Sequence, residues 1–300
     1  MKPELVVMAA GAGSRFGGLK QLEPVGPNGE KILDYALFDA RRAGVERVVF
    51  VIRKAFEPAF RQQVGSRYRQ WMDVAYAFQE LDLLPEGFPL PGTRTKPWGT
   101  VQAILAARAE TRSPFLAINA DDFYGRASFA TLTGFLTRPA EEPAHAMAAF
   151  TLANTLSEHG TVARAVCTVG PTGLLQALVE HTGLERTGDG IGERGPDGAF
   201  RRFSGQEPVS MNIWGFQPSI FGPLQEGFDR FLASRGQDPE SELTLPTAVN
   251  ELIQAGRARV LVLPTSAPWF GVTYREDKPT VVARIQALIK TGEYPVSLWS

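Results

Sequence analysis

In the first half of the chain, short apolar runs alternate with longer segments in which apolar residues recur every three or four positions. The short runs predict strands, and the periodic segments predict helices. The predicted strands are Glu4–Ala9, Arg47–Ile52, Asp73–Phe78 and Phe115–Asn119, and the predicted helices are Ile32–Ala43, Phe56–Val64, Thr100–Ala109 and Ala127–Leu136, with Thr100 as the N-cap of its helix. This alternation indicates βαβ units around a mostly parallel sheet, and hence an α/β fold.

The second half is less regular. It predicts helices at Ile220–Ser234, Pro246–Ala255 and Pro279–Lys290, and strands at Ala144–Leu152, Ala163–Val169, Leu174–Glu180, Glu207–Phe216 and Ala258–Leu263. Residues 183–205 are rich in glycine and charge, which favours a mobile loop or an extended hairpin. Because no linker or repeat interrupts the chain, we expect a single domain over residues 1–300 with a substrate-facing insertion in its second half.

A glycine-rich turn follows the first predicted strand, in the segment LVVMAAGAGSRFGGLKQ. At Gly11-Ala12-Gly13 the backbone can approach a phosphate chain closely, because no large side chain collides and successive N–H groups can face the anion. Arg15 and Lys20 then supply full positive charges, one as a planar fork and one as a point charge. The segment therefore favours a nucleoside triphosphate site.

Two better-known glycine loops do not fit this turn. A dinucleotide fingerprint requires G-x-G-x-x-G, but the sixth position counted from Gly11 is Phe16. A P-loop requires Gly-Lys-Ser/Thr, whereas Gly18 is followed by Leu19-Lys20-Gln21, which has no hydroxyl for Mg²⁺. The remaining alternative to a triphosphate site is a flexible turn with two solvated cations. Candidate residues elsewhere in the chain are needed to distinguish between these two interpretations.

Composition narrows the class of protein. Lys and Arg number 31 against 32 Asp and Glu, and no long basic run concentrates the positive charge, which argues against a nucleic-acid partner. The single cysteine, Cys167, excludes an internal disulfide, and its alternating apolar setting predicts a buried residue. No apolar stretch is long enough to span a membrane, and a strand begins too early to leave room for a signal peptide, so we expect a cytoplasmic protein.

Three candidate segments follow predicted strands, where ligands bind in open α/β sheets: the glycine-rich turn after the first, Gln79 after the third, and Asp121-Asp122 after the fourth. Asp121 and Asp122 end the fourth strand; we assign Mg²⁺ to Asp121 and a structural role to Asp122, although either carboxylate could instead cap the next helix. Gln79 ends the third strand, and its amide can both donate to and accept from uracil or thymine, unless it is a surface residue beside the following loop. Gly99 would let the base lie against the backbone, and Lys96 either contacts phosphate or is a solvated charge.

The second half offers fewer candidates. Glu180 ends a predicted strand and could accept hydrogen bonds from sugar hydroxyls, and His181 follows it. Asn212 is a polar residue within an apolar strand, where it binds either a sugar hydroxyl or a neighbouring backbone group. The other histidines have no metal-site spacing, and no G-x-S-x-G segment supports a hydrolase triad.

These residues resemble the sugar-phosphate nucleotidyltransferases, or nucleotide-sugar pyrophosphorylases. Met8-Ala9-Ala10-Gly11-Ala12-Gly13-Ser14-Arg15 with Lys20 matches the family's opening pattern closely. The resemblance continues in order through Gln79, Gly99-Thr100, Asn119-Ala120-Asp121, Val179-Glu180-His181 and Asn212. It implies a Rossmann-like, mostly parallel sheet flanked by helices, with residues 1–150 binding the nucleotide and residues 151–300 contributing the sugar site and C-terminal helices.

The resemblance implies Mg²⁺-dependent conversion of an NTP and a sugar 1-phosphate into an NDP-sugar and pyrophosphate. It assigns the nucleotide to Ala10, Gly11, Ala12, Gly13, Gln79, Gly99 and Thr100, the triphosphate charge to Arg15 and Lys20, the metal to Asp121 and the sugar to Glu180 and Asn212. Two departures stand out: many relatives have lysine in place of His181 and a second metal-binding aspartate in place of Gly271. We expect a uridylyl- or thymidylyltransferase of a distinct subfamily; the alternatives are a cytidylyltransferase and a non-catalytic nucleotide-sugar sensor or regulatory protein.

Overall fold

The computed structural model describes residues 1–11, 23–139, 145–195, 197–271 and 276–299, with Gln63 as backbone only. The strands of the first half are β1 (Glu4–Met8), β2 (Arg47–Ile52), β3 (Asp73–Phe78), β4 (Phe115–Asn119) and the short β5 (Asp122–Phe123). Its helices are α1 (Ile32–Arg42), α2 (Glu57–Phe60), α3 (Ser66–Tyr68), α4 (Thr100–Ala106) and α5 (Gly125–Leu136). The alternation predicted from the sequence is confirmed here, although the helix predicted over Phe56–Val64 is divided by a π-helical segment, Arg61–Gly65.

The described strands of the second half are β6 (His145–Thr151), β7 (Val162–Val169), β8 (Leu175–Thr187), β9 (Gly190–Arg194), β10 (Phe200–Phe203), β11 (Pro208–Phe216), β12 (Val260–Pro264) and β13 (Phe270–Gly271). Its helices are α6 (Phe221–Arg235), α7 (Leu245–Gln254) and α8 (Asp277–Lys290). In the segment 183–205, the extended-hairpin alternative is confirmed, because β8 pairs antiparallel with β9, and β9 with β10.

One mixed sheet runs through both halves in the order β10-β9-β8-β7-β11-β4-β1-β2-β3, with β6 beside β11 and β12 beside β6. The strands β4, β1, β2 and β3 are parallel, as predicted, whereas β11 pairs antiparallel with β4, β6 and β7. The register Met8↔Asn119 brings the carboxyl ends of β1 and β4 together. The fold is thus α/β, with a mostly parallel core flanked by helices.

Apolar clusters cover both faces of the sheet. Leu5 and Val7 belong to one cluster and Val6 to the other, which explains why β1 is a continuous apolar run rather than an alternating one. Cys167 is buried as predicted, and burial raises the pKa of its thiol to about 12. Among the described helices, none combines the length and apolarity needed to cross a bilayer.

A third apolar cluster joins distant parts of the sequence beside the sheet. It contains Val25 and Tyr35 near α1, Phe123 of β5, and Tyr294 and Leu298 after α8. The Phe123 and Phe270 rings stack with their centroids 4.2 Å apart, and the Tyr35 and Tyr294 rings meet edge to face. This cluster holds the segment after α8 against α1.

Candidate functional site

The predicted nucleotide residues that the structure describes lie at the carboxyl edge of the parallel strands. Ala10 lies two residues after the end of β1, and the neighbouring backbone continues the sheet, since Ala9 N–H donates to the Val51 carbonyl and Gln79 N–H to the Ile52 carbonyl. Ala10 and Gln79 line the same small cavity. The structure therefore brings together two positions that are 69 residues apart in the sequence.

Part of the predicted triphosphate site lies outside the described residues. This applies to Ala12, Gly13, Arg15 and Lys20. Gly11 is described and exposed, at the point where the chain leaves β1.

The amide of Gln79 is buried and oriented by its neighbours. Its Nε2 donates to the Gly99 carbonyl at 3.0 Å and to Gln102 Oε1 at 3.1 Å. Both amide hydrogens are therefore engaged within the protein, and only Oε1 is left to contact a base. The sequence analysis expected this amide to donate as well as accept, and the structure assigns the donating side to the protein instead.

The backbone packed against Gly99 requires a glycine at this position. It has φ +105°, and a Cβ there would lie 2.3 Å from the carbonyl oxygen of Leu243. The close neighbour of Gly99 is thus the backbone before α7, which occupies the side where a Cβ would point. The backbone of Leu243 donates to the Trp98 carbonyl and accepts from Val101 N–H, so the two segments are also joined by hydrogen bonds.

The sequence analysis predicted Thr100 as the N-cap of α4. This prediction is wrong, because Gly99 holds the N-cap position and Thr100 is the first residue of the helix. The Thr100 hydroxyl instead accepts a 2.7 Å hydrogen bond from Leu245 N–H at the start of α7. This bond satisfies one of the backbone donors that a helix N-terminus leaves unpaired. Thr100 therefore links α4 to α7.

Lys96, on the rim of the same region, is held by acidic and backbone groups. Its Nζ lies 3.0 Å from the Glu240 carbonyl and 3.2 Å from Glu242 Oε1. These contacts account for its position without a phosphate ligand.

At the carboxyl end of β4, the second of the two aspartates is embedded in a hydrogen-bond network. Asp122 Oδ2 accepts from Asn119 Nδ2 at 2.8 Å and from the Tyr124 hydroxyl at 3.2 Å. Burial and the charge of Asp122 raise the pKa of Tyr124, which keeps that hydroxyl protonated. Asp122 thus has the structural contacts expected of it, and Asp121 is its half-buried neighbour at the end of the strand.

Asn212 extends this network to β11. It has φ +62°, a left-handed conformation that no other non-glycine residue adopts in the described part of the chain. Its Nδ2 donates to Asn119 Oδ1 and its Oδ1 accepts from Trp214 Nε1, both at 2.8 Å. Among the described residues none accepts the second Nδ2 hydrogen, and the two bonds that Asn212 makes fix Asn119 and, through it, Asp122.

Glu180 lies farther along the sheet. It is exposed on β8, opposite Ala165 of β7, which in turn pairs with Ser210 of β11. The neighbouring His181 faces away and bonds Glu193 of β9 through Nδ1 at 2.7 Å, with its ring against Phe203. His181 therefore stabilises the hairpin, and Glu180 is one of the polar residues that this strand exposes.

Position 271 lies directly beside the β4 aspartates. Gly271 pairs with Asp122 across β13 and β5, and a Cβ at Gly271 would lie 2.7 Å from Asp122 Oδ1. Asp277, the first residue of α8, lines a cavity with Gly271, Arg164 and Arg284. The structure thus places Asp277 in the neighbourhood of this site.

The sequence analysis missed three residues in this region. Gln102 orients Gln79, and Arg53, which directly follows β2, lines the cavity beside Ala10. Arg164 of β7 lies over the Trp269 ring, where burial lowers the pKa of its guanidinium to about 10 and the charge of Asp122 opposes that shift. Of these three residues, only Arg53 could have been identified from the sequence, because it follows an apolar strand as Gln79 does.

The carboxylates at the end of β4 fit a magnesium ion. Mg²⁺ takes one or two carboxylates from a protein and completes its shell with phosphate oxygens and water. Within the described ranges no group of three or more His, Cys, Asp or Glu side chains forms a closed metal cage. The absence of a Cβ at Gly271 leaves space beside Asp122 Oδ1. This donor set suits Mg²⁺ held together with a polyphosphate.

Comparisons with known proteins connect this arrangement to a family. Residues 5–149 match the family model described as the MobA-like NTP transferase domain. A search of curated proteins returned no significant match.

Solved structures share the fold over nearly the whole chain. The UDP-glucose pyrophosphorylase complexed with UDP-glucose has a TM-score of 0.63 and 16% identity, covering 96% of this chain and 99% of that chain. The inositol-1-phosphate CTP transferase from T. maritima has a TM-score of 0.60 and 12% identity, covering 95% and 96%. The first half of the chain thus matches the MobA-like NTP transferase family, and nearly its whole length has the fold of these two enzymes.

Proposed function

We propose that this nucleotidyltransferase uses UTP or dTTP and a sugar 1-phosphate to form an NDP-sugar and pyrophosphate, with Mg²⁺ as cofactor. The observation that carries the proposal is the convergence of Ala10, Gln79 and Asp121 at the carboxyl edge of three parallel strands, next to Asn212 on β11. This edge is where α/β sheets bind their ligands.

In this proposal the nucleotide is bound by the first half of the chain. The backbone of Ala10, Gly11, Ala12 and Gly13 follows the phosphates, and Arg15 and Lys20 neutralise the departing pyrophosphate. Gln79 Oε1 accepts from the base, within the wall formed by Gly99 and Thr100. These roles suit phosphoryl-type transfer, which depends on positioning and charge stabilisation more than on a covalent catalyst.

We assign the metal to Asp121, with Asp122 held beside it by Asn119 and Tyr124. When bound there, Mg²⁺ supplies positive charge to the phosphoryl oxygens. The protein supplies a carboxylate whose surroundings are fixed before the substrate arrives.

The sugar is proposed to lie over the antiparallel part of the sheet. Glu180 presents an exposed carboxylate two strands away from β11, and Asn212 retains one amide hydrogen. An acceptor and a donor separated across the strands can bind two hydroxyls of a hexose.

The first experiment is pyrophosphate release in the presence of Mg²⁺, with UTP, dTTP, CTP, ATP and GTP crossed against hexose, amino-sugar and muramic 1-phosphates. Turnover with UTP or dTTP and one sugar would support the proposal. Turnover with CTP alone would favour the cytidylyltransferase instead. Nucleotide binding without turnover on any pair would refute catalysis in favour of a sensor, for which Gly271 and the engaged His181 are the motivating observations.

Two substitutions test the assigned roles. Lys20→Ala and Asp121→Ala should each lower kcat/KM by about a hundredfold or more, because each removes charge stabilisation of the transition state. Lys2→Ala and Asp189→Ala are matched controls, since Lys2 and Asp189 are exposed and lie away from the carboxyl edge. A near-normal rate in Lys20→Ala or Asp121→Ala would contradict the role of that residue.

A further inference from the structure

The side-chain amides of Gln79 and Gln102 are hydrogen-bonded to each other, and backbone carbonyls fix the orientation of Gln102. Gln102 Nε2 lies 2.9 Å from the Glu80 carbonyl and 3.1 Å from the Leu83 carbonyl. A carbonyl oxygen can only accept, so both hydrogens of Gln102 point to these two groups and its Oε1 faces the other way.

The orientation of Gln79 follows from that of Gln102. Because Gln102 presents an oxygen, Gln79 must present its nitrogen, and the Gly99 carbonyl takes the second hydrogen. No described residue donates a hydrogen bond to Gln79 Oε1. This oxygen is also not fully enclosed by the described residues. The atom that the pair offers to a ligand is therefore an acceptor.

Rotation of the Gln79 amide by half a turn would be costly. It would place Oε1 against two acceptors, the Gly99 carbonyl and Gln102 Oε1, and would leave Nε2 without either partner. Both glutamines are buried, so the two acceptors would face an oxygen with no hydrogen between them on the side where the protein encloses the pair. The hydrogen bonds of the pair thus keep the Gln79 amide in one of its two possible orientations.

We propose that Gln102 is a specificity-determining positioning residue, which fixes Gln79 as an acceptor and so selects a base with an N–H at the contacted ring position. Uracil and thymine present N3–H there, whereas cytosine presents the unprotonated N3, an acceptor that faces Oε1 without a hydrogen between them. Among purines the same rule admits guanine, with N1–H, and rejects adenine. The inference rests on the proposed function, because Gln79 must contact the base.

The test is a comparison of nucleotide affinity in the full chain with Mg²⁺, by calorimetric titration of UTP, CTP, GTP and ATP. We expect the wild-type protein to bind UTP about 10- to 100-fold more tightly than CTP, since a mispaired buried acceptor lowers affinity by that order. Gln102→Met keeps the side-chain length and removes the acceptor that faces Gln79. Its UTP affinity should change by only a few-fold, whereas the UTP-to-CTP ratio should fall toward one.

The ratio separates specificity from a folding defect, because a misfolded fraction lowers the titratable sites for both nucleotides equally. Gln102→Leu is a second variant in case Gln102→Met folds poorly. Gln79→Leu should weaken binding of UTP but not of CTP, because only UTP donates a hydrogen bond to Oε1. A wild-type ratio near or below one, or a ratio unchanged in the Gln102 variants, would overturn the inference while leaving nucleotidyl transfer intact. Absence of any nucleotide binding would overturn both proposals. UTP binding without turnover would refute only the transfer reaction.

Discussion

Protonation of Asp39 should make the free energy of unfolding depend on pH near neutrality. Asp39 is buried on α1, where it accepts a 2.5 Å hydrogen bond from the Tyr294 hydroxyl. Burial, with a smaller contribution from Glu293, raises the pKa of Asp39 from 3.8 to about 7, although Tyr294, Arg42 and Arg126 act in the opposite direction. The substitution that tests this is Asp39→Asn, which keeps the shape and removes the charge.

The sign of this pH dependence follows from the pKa of Asp39 in the folded and in the unfolded chain. The unfolded chain releases the proton at its ordinary pKa of 3.8 and the folded chain at about 7, so the folded state binds the proton more tightly. The stabilisation is complete below the unfolded pKa and is lost as pH rises through 7. At 1.36 kcal/mol per unit, the full effect is about 4 kcal/mol, of which about 2.7 kcal/mol falls between pH 8 and pH 5.

The assay is urea unfolding of both proteins at pH 5, 6, 7 and 8, followed by tryptophan fluorescence. The difference in unfolding free energy, wild type minus Asp39→Asn, should increase by about 2.7 kcal/mol from pH 8 to pH 5. The difference must be used because burial lowers the pKa of His145 to about 4, which gives both proteins an opposite slope below pH 6.5. A difference that stays constant with pH would refute the reasoning.

Two further substitutions test the backbone around the site. Gly99→Ala should destabilise the fold by about 3 kcal/mol or more in urea unfolding, because its Cβ would meet the Leu243 carbonyl. The control is Gly44→Ala, which also has a positive φ but has open space around the Cβ and should destabilise the fold by only about 1 kcal/mol. Equal losses of stability in the two variants would show that crowding by Leu243 is unimportant. Asn212→Gly keeps the left-handed backbone and removes both side-chain bonds, which should raise the Mg²⁺ concentration required for half-maximal activity and cost about 1–3 kcal/mol through the unpaired Trp214 Nε1. An unchanged Mg²⁺ requirement in that variant would separate Asn212 from the aspartates.

Local patterns were sufficient to predict the parallel core. Strands buried on both faces, such as Glu4–Met8, appear as continuous apolar runs, and the candidate residues were recognised because they end those runs. The pairing of β11 with three other strands could not be predicted, because partner choice depends on contacts between residues far apart in the sequence.

The chemistry of individual side chains was harder to predict for the same reason. The amide of Gln79 is oriented by Gln102, and Gly99 is required by Leu243, which follows it 144 residues later. Arg164 lies within a strand whose apolar pattern gave no indication that its guanidinium would lie over Trp269. A sequence pattern shows which residues share a strand end, but not which groups occupy their hydrogen bonds.

The position of β11 has a consequence for how the chain is made. Until Pro208–Phe216 is synthesised, the edge of β4 facing away from β1 has no strand beside it, although the rest of the parallel core is already outside the ribosome. At roughly 5–20 residues per second, the ribosome takes on the order of 5–20 s to pass from β4 to β11. During that interval the nascent protein presents an apolar strand edge, the kind of surface that chaperones protect and that pairs wrongly with other chains.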